Sequence, residues 1–116
     1  MPEPSDGGRT IQAGLLTIEI IASDRTYVVQ LSGELDLSSA ATLEGELSDL
    51  FSANRASLIV DLANLEFIDS VGLRCLLNAT ERAATKGTSL QFLAPSGQAK
   101  SILELTGLRE RLPFID

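Results

Sequence analysis

A strand followed by a long helix, between Leu58 and Gly87, constrains the fold of this chain more than any other segment. The apolar run Leu58-Ile59-Val60, closed by Asp61, is typical of a strand buried in a parallel sheet. A one-sided pattern at helical spacing follows it, at Leu73, Leu76, Leu77, Thr80 and Ala84. Gly87 then supplies a residue favoured at helix ends. The spacing therefore predicts a helix from Ser70 to about Lys86.

Strands and helices alternate along the rest of the chain. Two β-rich runs, 15–21 and 26–31, flank a polar turn and predict a hairpin. A helix with Ser38 or Ser39 as its cap should follow. The pattern further predicts a strand at 57–61, a strand at 89–94, a helix ending at Gly107 and a short terminal strand at 113–115. The predicted order β-β-α-β-α-β-α, with one more β at the end, indicates an α/β protein, a mixed β-sheet with helices packed on it.

The length of the chain allows one domain. Its 116 residues and 44% hydrophobic content are enough for a self-standing core. Residues 1–13, with two prolines and paired glycines, are expected to form a flexible N-terminal tail ahead of a domain at 14–116. No apolar run approaches the roughly 20 residues that span a bilayer, and the polar start is unlike a signal peptide. We therefore expect a cytoplasmic protein that does not bind a membrane.

Charge and missing residue types exclude several functions. A formal net charge of −7 argues against a nucleic-acid surface. The chain has no histidine, which rules out a Ser-His-Asp triad within it and removes the commonest metal ligand. Its single cysteine, Cys75, cannot form an internal disulfide, and its apolar neighbours favour a buried thiol over a reactive one. We expect neither an enzyme nor a metal or cofactor site.

Ser70 is the candidate functional residue, because it stands behind Asp69 at the start of the predicted helix. A helix N-terminus has unpaired N–H groups and a partial positive charge, so a phosphate on a hydroxyl there is tolerated. Asp and Ser are also common helix caps, and either residue could serve only in that role. Gly72 lies in the first turn, where glycine costs stability, and this suggests that another group approaches the backbone closely there. Asp61 invites comparison with a receiver phosphoacceptor, but the acidic pair that would hold Mg²⁺ is missing.

Three motifs occur in this order along the predicted elements. They are Leu31-Ser32-Gly33-Glu34-Leu35-Asp36, Leu58-Ile59-Val60-Asp61-Leu62 and Phe67-Ile68-Asp69-Ser70-Val71-Gly72-Leu73. Together they resemble the STAS domain of anti-sigma factor antagonists, over roughly 15–115. The resemblance implies that an anti-sigma factor with serine kinase activity phosphorylates Ser70. It also implies a partner-binding surface made of Asp36, Asp69, Ser70, Val71, Gly72 and Arg74. Val71 departs from the family, in which a second small hydroxyl residue is common at this position.

The function that this resemblance implies is a partner switch. Unmodified protein would bind the anti-sigma kinase and free a sigma factor, and phosphorylation of Ser70 would end the binding. A PP2C-type phosphatase is the second implied partner. Arg74, one helical turn from Ser70, could offset the charge of the phosphate. Two alternatives stay open: a STAS scaffold module that is not phosphorylated, and a small-molecule sensor that uses the same loops.

Overall fold

A six-stranded sheet carries the fold in the computed structural model, which describes residues 8–53 and 57–115. Its elements run along the chain as β1 (Arg9–Ala13), β2 (Leu16–Ser23), β3 (Thr26–Leu35), α1 (Ala40–Ser52), β4 (Ser57–Ile68), α2 (Ser70–Lys86), β5 (Ser89–Leu93), α3 (Gly97–Leu105), a 3₁₀ turn (Leu108–Glu110) and β6 (Phe114–Ile115). The predicted mixed α/β class is confirmed. In the described ranges, none of the helices has the length and apolar character needed to cross a membrane.

The strands follow one another in space in their sequence order. β1, β2 and β3 are antiparallel neighbours, whereas β3, β4, β5 and β6 are parallel. Each parallel step contains a helix, and the last step contains the 3₁₀ turn as well. Right-handed crossovers that step in one direction place their helices on one face of the sheet. That face carries the buried side chains, which alternate with half-buried or exposed ones along β2 and the first half of β4. An apolar cluster joins the sheet to the helices.

The N-terminal boundary differs from the prediction. Residues 9–13, expected in a flexible tail, form β1 and pair with β2 from Arg9↔Ile20 to Ala13↔Leu16. The Arg9 guanidinium also donates to the Glu46 carboxylate of α1 at 2.6 Å. Pairing with β2 stabilises this short, mostly polar segment. The spacing of apolar residues within it therefore did not indicate a strand. The expected tail is therefore wrong for 9–13, and residues 1–7 lie outside the described residues.

Strand β4 is longer than predicted. The sequence indicated an end at Asp61, but the strand continues to Ile68 with register shifts against β3 between Gln30 and Ser32 and between Gly33 and Glu34. Such irregularities let a strand bend while pairing resumes beyond them. Asp61 consequently lies in mid-strand, where its carboxylate accepts the backbone N–H of Ala63 at 2.9 Å. The extension brings the chain directly from the sheet edge into α2, through Asp69 alone.

Candidate functional site

The ends of β3 and β4 bring the two predicted site segments together. Leu35 and Ile68 are paired at the carboxyl ends of these parallel strands. Asp36 follows the first strand and Asp69 follows the second, so the two lie at the same sheet edge. The backbone N–H of Asp69 also donates to the carbonyl of Leu35 at 3.2 Å. The shared edge that the sequence could only suggest is therefore present.

Asp69 links helix α2 to the loop after β3. Its Oδ1 accepts the backbone N–H of Gly72 at 2.8 Å and caps the helix, while its Oδ2 accepts the backbone N–H of Leu37 at 3.1 Å. Ser70 is the first helical residue, is exposed, and its hydroxyl has no hydrogen-bond partner among residues 8–53 and 57–115. The cap is thus Asp69, and Ser70 is left with an accessible hydroxyl that the fold does not use.

We expect Asp69→Ala to destabilise the protein and loosen the loop. Loss of a helix cap costs about 1 kcal/mol, up to about 2 in a protein, and the N–H of Leu37 loses its acceptor at the same time. Urea unfolding measures the change. Asp69→Asn is the matched control, because one amide oxygen remains to accept from either N–H and the loss should be smaller. Equal stability of wild type and Asp69→Ala would contradict the assignment of Asp69 as cap.

The loop after β3 is held by hydrogen bonds around Asp36. Its Oδ1 accepts both the backbone N–H and the hydroxyl of Ser38, at 2.9 and 2.7 Å. The Ser38 hydroxyl bond is the main reason why the pKa of Asp36 is lowered from its ordinary value. Ser39 is fully buried, and its hydroxyl accepts the N–H of Asp36 at 3.0 Å and donates to the carbonyl of Glu34 at 3.2 Å. The carboxylate and the two serines fix the shape of this loop.

The predicted cap of α1 differs in detail. Ser39 stands at the N-cap position, yet its hydroxyl makes no capping bond to the helix. Instead, the carbonyl of Asp36 accepts the N–H groups of Ser39 and Ala40 at 3.0 and 2.9 Å and satisfies the start of the helix. The Ser39 side chain is turned to the loop, because that is where its buried hydroxyl finds partners.

Gly72 allows the first turn of α2 to lie against the end of β3. A Cβ at this position would stand 2.5 Å from the carbonyl oxygen of Leu35 and 2.9 Å from side-chain carbons of Leu35 and Ile68. The close approach that a first-turn glycine suggested is therefore present, and the group that approaches is the carbonyl of Leu35. Gly72 thereby sets the distance between Ser70 and the Asp36 loop.

Two apolar side chains are exposed beside the polar groups of this edge. Leu37 is 75% exposed and Val71 is 39% exposed. An open depression of about 480 Å³ is lined by Asp36, Leu37, Ser38, Phe67 and Asp69. A second, of about 360 Å³, is lined by Ser70, Val71 and Arg74. We call the residues lining these two depressions the switch face.

Three members of the switch face were missed in the sequence: Leu37, Ser38 and Phe67. The sequence offered one signal for Leu37, an apolar residue in a polar loop, which is typical of a contact surface. The β1–β2 turn also supports this face, since a Cβ on Gly14 would lie 2.5 Å from the hydroxyl oxygen of Ser38. That support depends on β1, which the sequence did not predict.

Cys75 lies behind the switch face, in the core. Its side chain is buried, as predicted, with Sγ 3.8 Å from the carbonyl oxygen of Ala40. Burial, with a smaller contribution from the charge of Glu44, raises the pKa of the Cys75 thiol to about 12. The thiol is therefore un-ionised at physiological pH, and thiolate chemistry at Cys75 is suppressed.

The burial of Cys75 leads to two expectations, one for the reactivity of its thiol and one for the pH dependence of stability. The folded protein should fail to react with a disulfide reagent such as DTNB at pH 8, and should react fully in urea. An unfolded thiol ionises at about pH 8.5, below the folded pKa, so the unfolded state releases its proton first. The contribution of Cys75 to stability is thus complete below about pH 8.5 and declines as pH rises toward 12. Rapid labelling of the folded protein at pH 8 would contradict this.

Comparison with known proteins agrees with this geometry. The family model described as "Mlab, STAS domain" matches residues 18–115. The chain is 30% identical over 95 residues to the anti-sigma-F factor antagonist RsfB of Mycobacterium tuberculosis, covering 80% of this chain and 75% of RsfB. It is similar to the crystal structure of an anti-sigma factor antagonist from Mycobacterium paratuberculosis, with a TM-score of 0.75, 30% identity and coverage of 85% and 84%. The Bacillus cell fate determinant SpoIIAA in its phosphorylated form shares the fold, with a TM-score of 0.65, 21% identity and coverage of 85% and 91%.

Proposed function

This chain belongs to the STAS domain family, and from that premise we propose that it is an anti-sigma factor antagonist. In its unmodified state it binds an anti-sigma factor that has serine kinase activity, which frees a sigma factor. Phosphorylation of Ser70 ends the binding. A PP2C-type phosphatase restores the unmodified state, and the cycle takes place in the cytoplasm.

The free hydroxyl of Ser70 is the observation that carries this proposal. Because Asp69 caps the helix, a phosphate on Ser70 removes no hydrogen bond among the described residues. A doubly charged group at a helix N-terminus gains roughly 0.3–1 kcal/mol from the helix dipole. The fold therefore tolerates the modification, and the charge changes the surface on which a partner would dock.

The switch face supports a protein partner. The exposed side chains of Leu37 and Val71 offer apolar contact area, and those of Asp36 and Ser70, which line the same depressions, offer polar groups. Interfaces of this kind combine an apolar centre with a few hydrogen-bonded polar groups. The net charge of −7 and the lack of histidine favour a regulatory binding protein over a nucleic-acid binder or an enzyme.

Asp36→Ala is expected to weaken partner binding about tenfold, which corresponds to about 1.4 kcal/mol of binding free energy. The variant loses the acceptor for both Ser38 donors, so the loop that presents Leu37 becomes loose. Isothermal calorimetry measures the affinity, and circular dichroism should be unchanged. Asp36→Asn keeps an acceptor oxygen and should retain most of the affinity. A collapse of the fold in Asp36→Ala would assign a structural role alone to this residue.

The proposal is tested by incubating the protein with ATP and each anti-sigma kinase encoded in the same genome. Phosphopeptides are then mapped by mass spectrometry. We expect phosphate on Ser70 from one kinase, none on Ser70→Ala, and normal modification of Ser101→Ala, whose exposed serine lies on α3, outside the switch face. Absence of phosphate from every kinase, with no binding to any of them, would overturn the proposal in favour of a scaffold module.

A further inference from the structure

Arg74 is a charged residue of the switch face whose guanidinium has no polar partner in the part of the chain that the structure describes. Its side chain is exposed and lines the same depression as Ser70 and Val71. Within residues 8–53 and 57–115 the guanidinium makes no hydrogen bond or ion pair. The nearby carboxylates of the site have other partners, since Asp69 binds Gly72 and Leu37 and Asp36 binds Ser38.

The helix places Arg74 over Ser70. Positions four apart in an α-helix are neighbours, and side chains lean toward the helix N-terminus, so Arg74 leans toward the turn that holds Ser70. Its other helical neighbours are Val71, Leu77 and Asn78, none of which is acidic. Ser70 is therefore the one neighbour at these spacings that becomes an anion when it is phosphorylated. An anion placed four residues before a cation is also the favourable order for such a pair.

We propose that Arg74 is the counter-ion of phosphorylated Ser70. The pair does two things, both of which rest on the proposed phosphorylation of Ser70. It neutralises part of the new charge on the fold, next to the negative Asp69. It also withdraws from the switch face a guanidinium that, in the unmodified protein, is available to an acidic group of the partner. Phosphorylation thus adds a repulsive charge and occupies an attractive one with a single chemical change.

The second pKa of the phosphate provides a direct test, because a nearby cation favours the dianion and lowers this pKa. Phosphoserine is installed at position 70 by genetic encoding, so that neither a kinase nor a partner is needed. The phosphate is then titrated by ³¹P NMR at low salt, in wild type and in Arg74→Ala. A unit charge at about 4–5 Å in an aqueous environment changes the acid dissociation constant about three- to tenfold. We expect Arg74→Ala to raise the phosphate pKa by the corresponding half unit to one unit.

Arg82→Ala is the matched control on the same helix. This arginine is twelve residues from Ser70, about 18 Å along the axis, and donates to the hydroxyl of Ser48 at 2.9 Å. The Coulomb interaction falls with distance, so at about 18 Å it is only about a quarter of its value at 4–5 Å, and Arg82→Ala should change the phosphate pKa far less than Arg74→Ala does. Arg74→Lys should keep most of the wild-type value, and 1 M NaCl should remove the difference between wild type and Arg74→Ala.

The titration separates this inference from the proposed function. Equal phosphate pKa values in wild type and Arg74→Ala, or equal increases in Arg74→Ala and Arg82→Ala, would overturn the counter-ion role even if a kinase modifies Ser70. A selective increase in Arg74→Ala would support the role even if no kinase were found. Circular dichroism of both exposed-site variants verifies that each is folded.

Discussion

Ser70→Glu is expected to bind the anti-sigma factor about a thousandfold more weakly than wild type. A negative charge brought within about 4 Å of an acidic partner group costs on the order of 4 kcal/mol at an effective dielectric of 20. Each 1.4 kcal/mol is tenfold in affinity, so three orders of magnitude follow. Isothermal calorimetry with purified partner measures this loss. The fold should be unaffected, because Ser70 is exposed and Asp69 retains the cap.

Ser70→Gln separates charge from size in this experiment. The glutamine side chain matches glutamate in volume but is neutral, so it should retain most of the affinity that glutamate loses. Ser70→Ala should keep the fold, since the serine hydroxyl has no partner among the described residues, and it should lose far less affinity than Ser70→Glu because it adds neither charge nor bulk. If glutamate and glutamine weakened binding equally, steric exclusion would replace repulsion as the mechanism. If neither weakened it, Ser70 would lie outside the interface.

Gly72→Ala is expected to destabilise the protein by about 3 kcal/mol, the upper end of the usual cost of overpacking. The added methyl would stand 2.5 Å from a backbone carbonyl oxygen and 2.9 Å from two side-chain carbons. Backbone at a strand end cannot yield cheaply, so helix α2 must move away from Leu35. For a domain of this size, 3 kcal/mol lowers Tm by about 10 °C. Differential scanning calorimetry measures the change.

Gly45→Ala is the control for replacement of glycine within a helix. Gly45 lies in α1, is exposed, and has nothing within 4 Å of the position of an added Cβ. Alanine is preferred over glycine there by roughly 0.5–1 kcal/mol, so Tm should rise. Opposite signs for the two variants are expected. A stable Gly72→Ala protein would mean that the contact between α2 and Leu35 is loose.

Helix α2 could be predicted from the sequence because its signals are local. Asp69 and Gly87 mark its ends, and the apolar spacing between them is regular. The structure confirms the predicted helix, which spans Ser70–Lys86. Strand β1 lacked such signals, because its stability comes from pairing with β2 and from Arg9 reaching Glu46, 37 residues away in sequence. The full length of β4 could not be predicted, because its pairing with β3 becomes irregular just after Asp61.

In the candidate site, too, local features could be predicted from the sequence and long-range contacts could not. The serine, its neighbouring aspartate and the first-turn glycine are adjacent in sequence, and their chemistry could be inferred together. The bond from the N–H of Leu37 to Asp69 joins residues 32 apart and depends on the register of β3 against β4. No local pattern predicts that bond. For this reason Leu37, which it positions at the surface, entered the site only with the structure.

The measurement that tests the central claim most directly is release of a sigma factor. A complex of the anti-sigma factor with its fluorescently labelled sigma factor is titrated with unmodified protein and with protein carrying phosphoserine at position 70. Fluorescence anisotropy then reports the free sigma factor. We predict that the unmodified protein displaces the sigma factor and that the phosphorylated protein does not over the same concentrations. Equal displacement by both forms, or displacement by neither, would contradict the account.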